Sequence, residues 1–497
     1  MSVEFGQAML ALSQLTKIAR TTSELKYGEN TGPVGGITPP IPTATAASGS
    51  LYGGSGLLGG NARIPDVDSD MAQVPEKPEL VNGQDADADL GLYLNFNGVE
   101  RPQPIRGDYG QVDPGPRTFE YEKLNPDLYA PPGTDSGSVP NAVWPLGLSH
   151  NRPGYKGRSG WARQQNTAVL PNAKQMAGVD MKLAPNAYRE LHWHTAGEWA
   201  LVLKGCVRVA AINDENQSFT DDLCEGDVWF FPPGVPHSIQ AFDKGVEFLL
   251  VFDEGDFDEN GTFLVSEMFA RTPREVLSKN FQADVDAFKD LPKDELYIFN
   301  GTRQPKDITQ QNTTAPGGFL SGNGSYTYHW SQQAPYSVPG GSVKILDPRT
   351  FPVASMFSAA LVTVQPGAMR EMHWHTTSDE WDYFLQGSGR ATIYDAPSAG
   401  RTFDFTAGDV GYISQADAHY IENTGTEDLV FLEVLQAPKF SDVSVAQWLA
   451  LTPRQTVKDH LKLPDKLLDN LPKEKTILKV GNKNLTALAG GGKAYQP

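Results

Sequence analysis

Short apolar runs punctuated by Gly- and Pro-bearing turns fill the chain between residues 174 and 478. Trp199-Ala200-Leu201-Val202-Leu203 and Val228-Trp229-Phe230-Phe231 read as strands because they are short apolar runs that contain β-branched and aromatic residues. Phe248-Leu249-Leu250-Val251-Phe252 does not alternate at all, which predicts a strand buried on both faces. Residues 174–254 therefore predict an all-β unit, for which a double-sheet jelly roll is the natural closure. Upstream, residues 91–166 mix short apolar pieces with turns such as Asn125-Pro126-Asp127 and Ala130-Pro131-Pro132-Gly133, predicting edge strands and arms.

Two stretches with a matching start follow the β-rich regions: Thr272-Pro273-Arg274-Glu275 and Thr452-Pro453-Arg454-Gln455. Thr at the N-cap, Pro at the first helical position and Glu or Gln at N3 predict a capped helix in each. Both later reach Leu-Pro-Lys, at Leu291 and Leu471. The repeating unit is thus a β unit plus helices. Residues 300–341, rich in Gly, Pro, Ser and Gln, form the connection, long enough to predict arms packed on a neighbour.

Residues 8–18 have an amphipathic pattern but carry Glu4 before them and no early Lys or Arg, so no secretory leader is expected. Residues 28–85 have the Gly, Pro, Ser, Thr and Ala content of a flexible segment. Gly54-Ser55-Gly56-Leu57-Leu58-Gly59 matches dinucleotide-binding spacing, yet no apolar strand precedes it and Pro65 stands where the helix should run. The expected organisation is a flexible segment over 1–90, a β domain with its arm and helices over 91–300, and a second over 301–497.

The length of 497 residues suits two β domains and a tail. A formal net charge of −19 argues against nucleic acid or an anionic membrane surface as partners, and no apolar stretch is long enough to span a bilayer. An anionic substrate would need local positive charge in a shielded pocket, or an acidic medium.

That charge has a source in a repeated motif. Six of the nine histidines fall at matched positions: His192, His194 and His237, then His373, His375 and His419. The first pair of each set is spaced i, i+2, so both side chains leave one face of a strand. Glu198 and Glu380 follow, and Gly205 and Gly226 correspond to Gly387 and Gly408 at an offset of 182, one more than that of the His-x-His pairs. A single His-x-His is more often surface or satisfied core. Two copies, each with a downstream Glu and a third His, point to metal. Three imidazoles and a carboxylate suit six-coordinate Mn or Fe with open positions, while a closed four-ligand zinc site satisfies the same spacing.

These residues resemble the two-part cupin signature: Gly, five residues, His-x-His, three or four residues, Glu, six residues, Gly; then Gly-x5-Pro-x-Gly-x2-His-x3-Asn. Gly226, Pro232, Gly234 and His237 carry it in the first copy, Gly367, His373, Glu380, Gly387, Gly408, His419 and Asn423 in the second. Asn186, Ala241, Ser414 and Ala416 depart from it, at turn positions rather than ligands. From about residue 102 to 478 the chain is similar to bicupin oxalate decarboxylases, through Arg189-Glu190-Leu191, Arg370-Glu371-Met372, Asp258-Glu259-Asn260 and Phe431-Leu432-Glu433.

The resemblance implies two tandem cupin barrels, each with its own Mn(II), dioxygen as co-catalyst, oxalate as substrate and formate plus carbon dioxide as products, in a homo-oligomer. It implies that Arg189 and Arg370 grip a carboxylate and that Glu259, on a lid, gives the proton to carbon. Strict alternation, however, places each arginine on the face opposite its histidines, so a bend is required and an outward salt bridge is the alternative. Residues 258–261 read equally as a solvated turn. Glu433, inside an apolar strand, is expected to have a raised pKa and so to serve as a catalytic group moving protons near neutrality, an ion pair with a buried arginine being the alternative. Trp193 and Trp374 alternate away from the metal, towards core packing. Oxalate oxidase, giving peroxide, and a non-enzymatic storage bicupin share the fold and remain alternatives.

Cys206 and Cys224, the only cysteines, fall nearly opposite one another in a hairpin joining Gly205 to Gly226, which predicts a disulfide. Six N-x-S/T sequons, at Asn216, Asn260, Asn300, Asn312, Asn323 and Asn484, favour an extracellular location, although no leader is readable.

Overall fold

A computed structural model describes residues 131–481 except 156–158, 312 and 314. The expectations for residues 1–90, most of the predicted arm, and the sequons at Asn312 and Asn484 lie outside the described residues.

The first barrel is built from Gly160–Gln165, Ala177–Leu183, Ala187–Trp193, Glu198–Ile212, Ser218–Cys224, Val228–Phe231 and His237–Phe252, paired antiparallel. Glu198–Ile212 and His237–Phe252 pass from one layer into the other without a break, shifting register on either side of Lys204 and Gly205, so one 11-stranded sheet folds over on itself. The second barrel spans Ser358–Val364 to Leu429–Leu435 and separates into 7- and 6-stranded sheets.

Among the described residues, buried apolar side chains sort into three clusters. Ala200, Val202, Phe248, Leu250 and Phe252 fill the first barrel. Val362, Phe384, Phe403, Ile421 and Phe431 fill the second. Between the barrels, Trp199, Leu201, Leu249 and Val251 meet Trp381, Tyr383, Leu432 and Val434. This explains the run that failed to alternate: odd and even positions of Phe248-Phe252 face two different cores. Each such side chain contributes about 1.5–3 kcal/mol on burial.

The arms cross over. Val143–Pro145, which precedes the first barrel, pairs with Asp409–Ile413 of the second, and Thr327–Tyr328 of the connection pairs with Val228–Phe231 of the first. The neighbour on which the connection packs is therefore a barrel of the same chain.

Helices follow each barrel, at Val265–Ala270 and Arg274–Phe281, then Val445–Leu451, Arg454–Leu461 and Asp465–Asp469. The capping differs from expectation. Pro273 and Pro453 are the N-caps, with no side-chain cap. Thr272 and Thr452 instead donate backwards, to the carbonyls of Met268 at 2.6 Å and Trp448 at 2.8 Å. The unforeseen preceding helices leave those carbonyls open, and a hydroxyl four residues on reaches them.

The turn positions that departed from the pattern keep its backbone. Asn186 has φ 61° where the second copy has Gly367 at 74°, and Ala416 has φ 70° where the first has Gly234 at 77°. Asn tolerates this region; for Ala416 it costs roughly 1–2 kcal/mol. Cys206 and Cys224 pair directly across the hairpin and are joined by a disulfide, with Cα atoms 4.1 Å apart.

Candidate metal centres and the groups beside them

His192 and His194 leave the strand Ala187–Trp193, Glu198 opens the next, and His237 opens His237–Phe252. Their ligating atoms lie within 4.8 Å of one another, as do those of His373, His375, Glu380 and His419 in the second barrel. All eight are buried. Glu198 Oε2 is 3.1 Å from His194 Nε2 and 3.6 Å from His237 Nε2; Glu380 Oε2 is 2.8 Å from His375 Nε2 and 3.0 Å from His419 Nε2.

Every Nδ1 of the six rings faces a backbone carbonyl, of Glu190, Ala196, Val235, Glu371, Ser441 and Asp417, at 2.6 to 3.0 Å. A carbonyl can only accept, so Nδ1 carries a hydrogen, and Nε2 is the nitrogen left facing inward to ligate. Nε2 of His373 is buried without a hydrogen-bond partner, and those of His237, His375 and His419 meet only the carboxylates of their own sets, Glu198 and Glu380. Burial, then Arg189 and Arg370 respectively, hold His192 and His373 well below the ordinary imidazole range. Against burial, which would raise it, His237 and His194 hold Glu198 well below the ordinary carboxylate range, and His419 and His375 do so for Glu380. Three imidazoles whose Nε2 atoms converge with one carboxylate, their Nδ1 atoms already bonded, are the donor set a divalent metal takes, so the residues fit one.

The bend that alternation demanded is a β-bulge. Arg189 lies opposite Ile239 and His192 opposite His237, three residues against two, and Arg370 to His373 against Ile421 to His419 repeats it. Arg189 and Glu190 are consequently both buried at 2 %, while Leu191 is 58 % exposed. The bulge turns the arginine inward. It also buries Glu190, which accepts from Ser266 N and Oγ, Leu296 N and Tyr297 N. Glu371 likewise accepts from Thr476 Oγ1 and Ile477 N. The sequence did not single out these two clamps.

Glu259 is buried within a 3-10 turn, Glu259–Gly261, capped by Asp258, whose side chain accepts from Asn260 N at 2.8 Å. Its Oε2 lies 3.3 Å from Arg189 Nη2 and 2.9 Å from Tyr297 Oη. The solvated-turn alternative does not describe this side chain. Trp193 and Trp374 are corrected: neither is in a core. Trp193 is half-buried and stacks at 5.4 Å on exposed Phe263, and Trp374 meets exposed Trp448 edge-on at 5.7 Å. Strand alternation turned them away from the metal, but that side is covered only by the short segments after each barrel.

The second barrel differs. Phe257 and Phe440 both flank a histidine, at 5.9 and 5.8 Å, and Leu264 and Ser444 both pair with the first histidine. Between these landmarks lie residues 258–263 in the first barrel but only 441–443 in the second. Arg370 Nε donates to Glu433 at 3.0 Å and its Nη2 to Asp442 at 2.5 Å, while Lys475 contacts Asp442. Glu433 thus forms the ion pair left as its alternative. Register places Leu250 where the second barrel has Glu433, and Ala200 where it has Asp382. Burial, then Glu380 and Glu433, hold Asp382 well above the ordinary carboxylate range. In the first barrel the outer partner of the metal-site glutamate is Trp229, whose Nε1 donates to Glu198 Oε1 at 2.8 Å.

A family profile described as Cupin matches residues 146–288 and 329–466. The chain is 44 % identical over 374 residues to oxalate decarboxylase OxdC of Bacillus subtilis (strain 168), covering 75 % of this chain and 96 % of that protein. It is 39 % identical to a probable oxalate decarboxylase of Arthroderma benhamiae, covering 80 % and 97 %. Among solved structures, the Bacillus subtilis enzyme at pH 4.6 superposes with a TM-score of 0.73 at 43 % identity, over 77 % of this chain and 98 % of that one. A structure from work on the Mn(II) centres of the same enzyme gives 0.73 at 42 %, over 77 % and 100 %. Sequence motif, paired barrels, ligand sets and relatives agree, and the chain belongs to the cupin family, among the bicupin oxalate decarboxylases.

Proposed function

We propose that the protein converts oxalate to formate and carbon dioxide, with one Mn(II) held in each barrel. The observation that carries this reading is Glu259, buried beside Arg189 at the edge of an intact three-histidine, one-glutamate set. When bound, manganese supplies a Lewis acid and a one-electron centre for the substrate carboxylate, with dioxygen as the expected co-catalyst.

The chain's own residues do the rest. Arg189 offers a planar guanidinium that matches a carboxylate through two parallel hydrogen bonds. Glu259 delivers a proton to the carbon left when carbon dioxide departs. The segment 258–263 links Phe257, beside His194, to Leu264, opposite His192, and Phe252 and Phe257 set an apolar wall against His194, limiting competing proton transfer from water. Turnover is assigned to the first barrel, because Arg370 is already engaged by two carboxylates and the shorter second segment brings no glutamate.

Export is proposed as well, supported by the disulfide and by exposed sequon asparagines at Asn216, Asn260, Asn300 and Asn323. Exposed Met268, Phe281, Trp448 and Leu461 on the helices support a homo-oligomer. Among the described residues no helix is long and apolar enough to cross a membrane.

The test is metal analysis of the purified protein together with parallel formate and peroxide assays on oxalate. Two manganese per chain and formate matching oxalate consumed are expected. Peroxide in place of formate would make it an oxidase, and a metal-free protein would revive the storage reading.

A further inference from the structure

Tyr297 is not part of the cupin signature, and nothing in its surroundings in sequence marks it. It is 3 % exposed, its hydroxyl donates to Glu259 Oε2 at 2.9 Å, and the guanidiniums of Arg152 and Arg189 lie over its ring, 3.7 and 4.5 Å from the centroid. Arg152 is anchored by Glu295 at 2.9 Å. Cations over an aromatic face draw on its electron density and make the phenol a better donor.

The repeat supplies an internal comparison. Ile298 pairs with Arg189 and Leu478 with Arg370, so Ile477 is the second barrel's counterpart of Tyr297. Both have left-handed backbone, φ 55° and 64°, and both have their N–H held by a buried glutamate, Glu190 or Glu371. The strained backbone therefore belongs to the shared scaffold. Only the side chain differs, and the hydroxyl appears in the barrel whose lid carries Glu259.

We infer that Tyr297 is a positioning residue for proton delivery: it holds Glu259 Oε2, with Arg152 supporting its ring, so that Oε1 carries the proton to carbon. Arg189 also donates to Oε2, but a guanidinium that grips oxalate must turn its donors to the substrate. Tyr297 is the partner that does not compete with substrate and stays with Glu259 when oxalate binds. Burial and then the Glu259 carboxylate keep the phenol protonated well above its ordinary range, so it remains a donor throughout the working pH.

This inference rests on Glu259 being the acid, and the test separates the two. Tyr297→Phe removes one oxygen and leaves the ring beneath the guanidiniums. Expected, in the metal-loaded enzyme, are unchanged metal content, an oxalate KM within about threefold of wild type, formate turnover lowered about 10-fold by loss of a hydrogen bond to a charged group, and a larger peroxide share per oxalate consumed. Arg152→Gln should shift the formate-to-peroxide ratio the same way by less. A Tyr297→Phe enzyme with the wild-type ratio overturns the inference, as does one that loses metal or slows with no change in ratio, since the residue would then be structural. Glu259→Gln is the control: if it keeps normal formate output, the assignment of the acid itself fails, whatever Tyr297→Phe does.

Discussion

Arg189 and Glu259 are 70 positions apart in the chain, yet Nη2 of one lies 3.3 Å from Oε2 of the other, both side chains being almost fully buried. The proposed carboxylate-gripping cation and the proposed proton donor are thereby held together, with Arg189 close enough to His192 to act on its charge. The pairing also ties the turn Glu259–Gly261 to the strand Ala187–Trp193.

Loss of carbon dioxide from an oxidised oxalate leaves a one-carbon fragment that must gain a proton and an electron to become formate. Without a placed acid it can be oxidised to a second carbon dioxide, with peroxide formed from dioxygen. General acid catalysis is worth roughly 100- to 10,000-fold. Glu259→Ala is therefore expected to lower formate production at least about 100-fold, while oxalate-dependent peroxide persists or rises. Near-normal formate would move the proton donor elsewhere, to Glu433 first.

The ligands of the two metals come from separate barrels, so the sites should empty independently. Glu198→Ala is expected to reduce bound metal from two per chain to one and to leave the set of His373, His375, Glu380 and His419 loaded. Elemental analysis of both proteins decides it; an unchanged wild-type stoichiometry near one would show that the barrels do not each hold their own ion.

Cys206 and Cys224 close a short loop, with a sequence separation of 18. For a loop of that size the chain-entropy contribution is about 3 kcal/mol, so replacing both cysteines with serine should lower the unfolding midpoint without altering metal content. Alkylation of the denatured, unreduced protein should label neither sulfur. Two labelled thiols would show that the bond does not form.

Glu247 sits at the rim of the contact between barrels, opposite Lys182 and Lys204 on neighbouring strands. Burial raises its carboxyl from 4.5 to about 7, the two lysines only partly offsetting this. Burial and then Glu247 also push Asp180 well above its ordinary range, with Arg163 and Lys182 opposing. Tyr383 faces both acids from the second barrel. Because the folded state binds the Glu247 proton more tightly than the unfolded chain, its contribution is full below about pH 4.5 and is lost as pH rises through about 7. Glu247→Gln should therefore flatten the fall in thermal midpoint between about pH 5 and 8. Identical pH slopes in variant and wild type would remove Glu247 as its source.

The metal ligands could be read from sequence because each set rests on local geometry. His192 and His194 share a face through strand alternation, and an offset of 181 copies the arrangement at His373 and His375. The hairpin cysteines were legible for the same reason: register between adjacent strands follows from the glycines at its ends. Apolar runs such as Phe248-Phe252 announced burial on both faces, though not what would cover the second.

What only the tertiary structure decided depends on contacts between distant segments. The bulge that turns Arg189 inward is a mismatch with Ile239 and His237, a property of two strands and invisible in either. Whether Glu433 keeps a free carboxylate depends on Arg370 and Asp442, and whether Trp193 is core depends on how little chain covers it. The exchange of arms between barrels and the reach of Tyr297 to Glu259 are of the same kind. A side chain's direction within a strand follows from its own backbone, whereas its partner is set by which other segment packs against that face, and local periodicity carries no information about that choice.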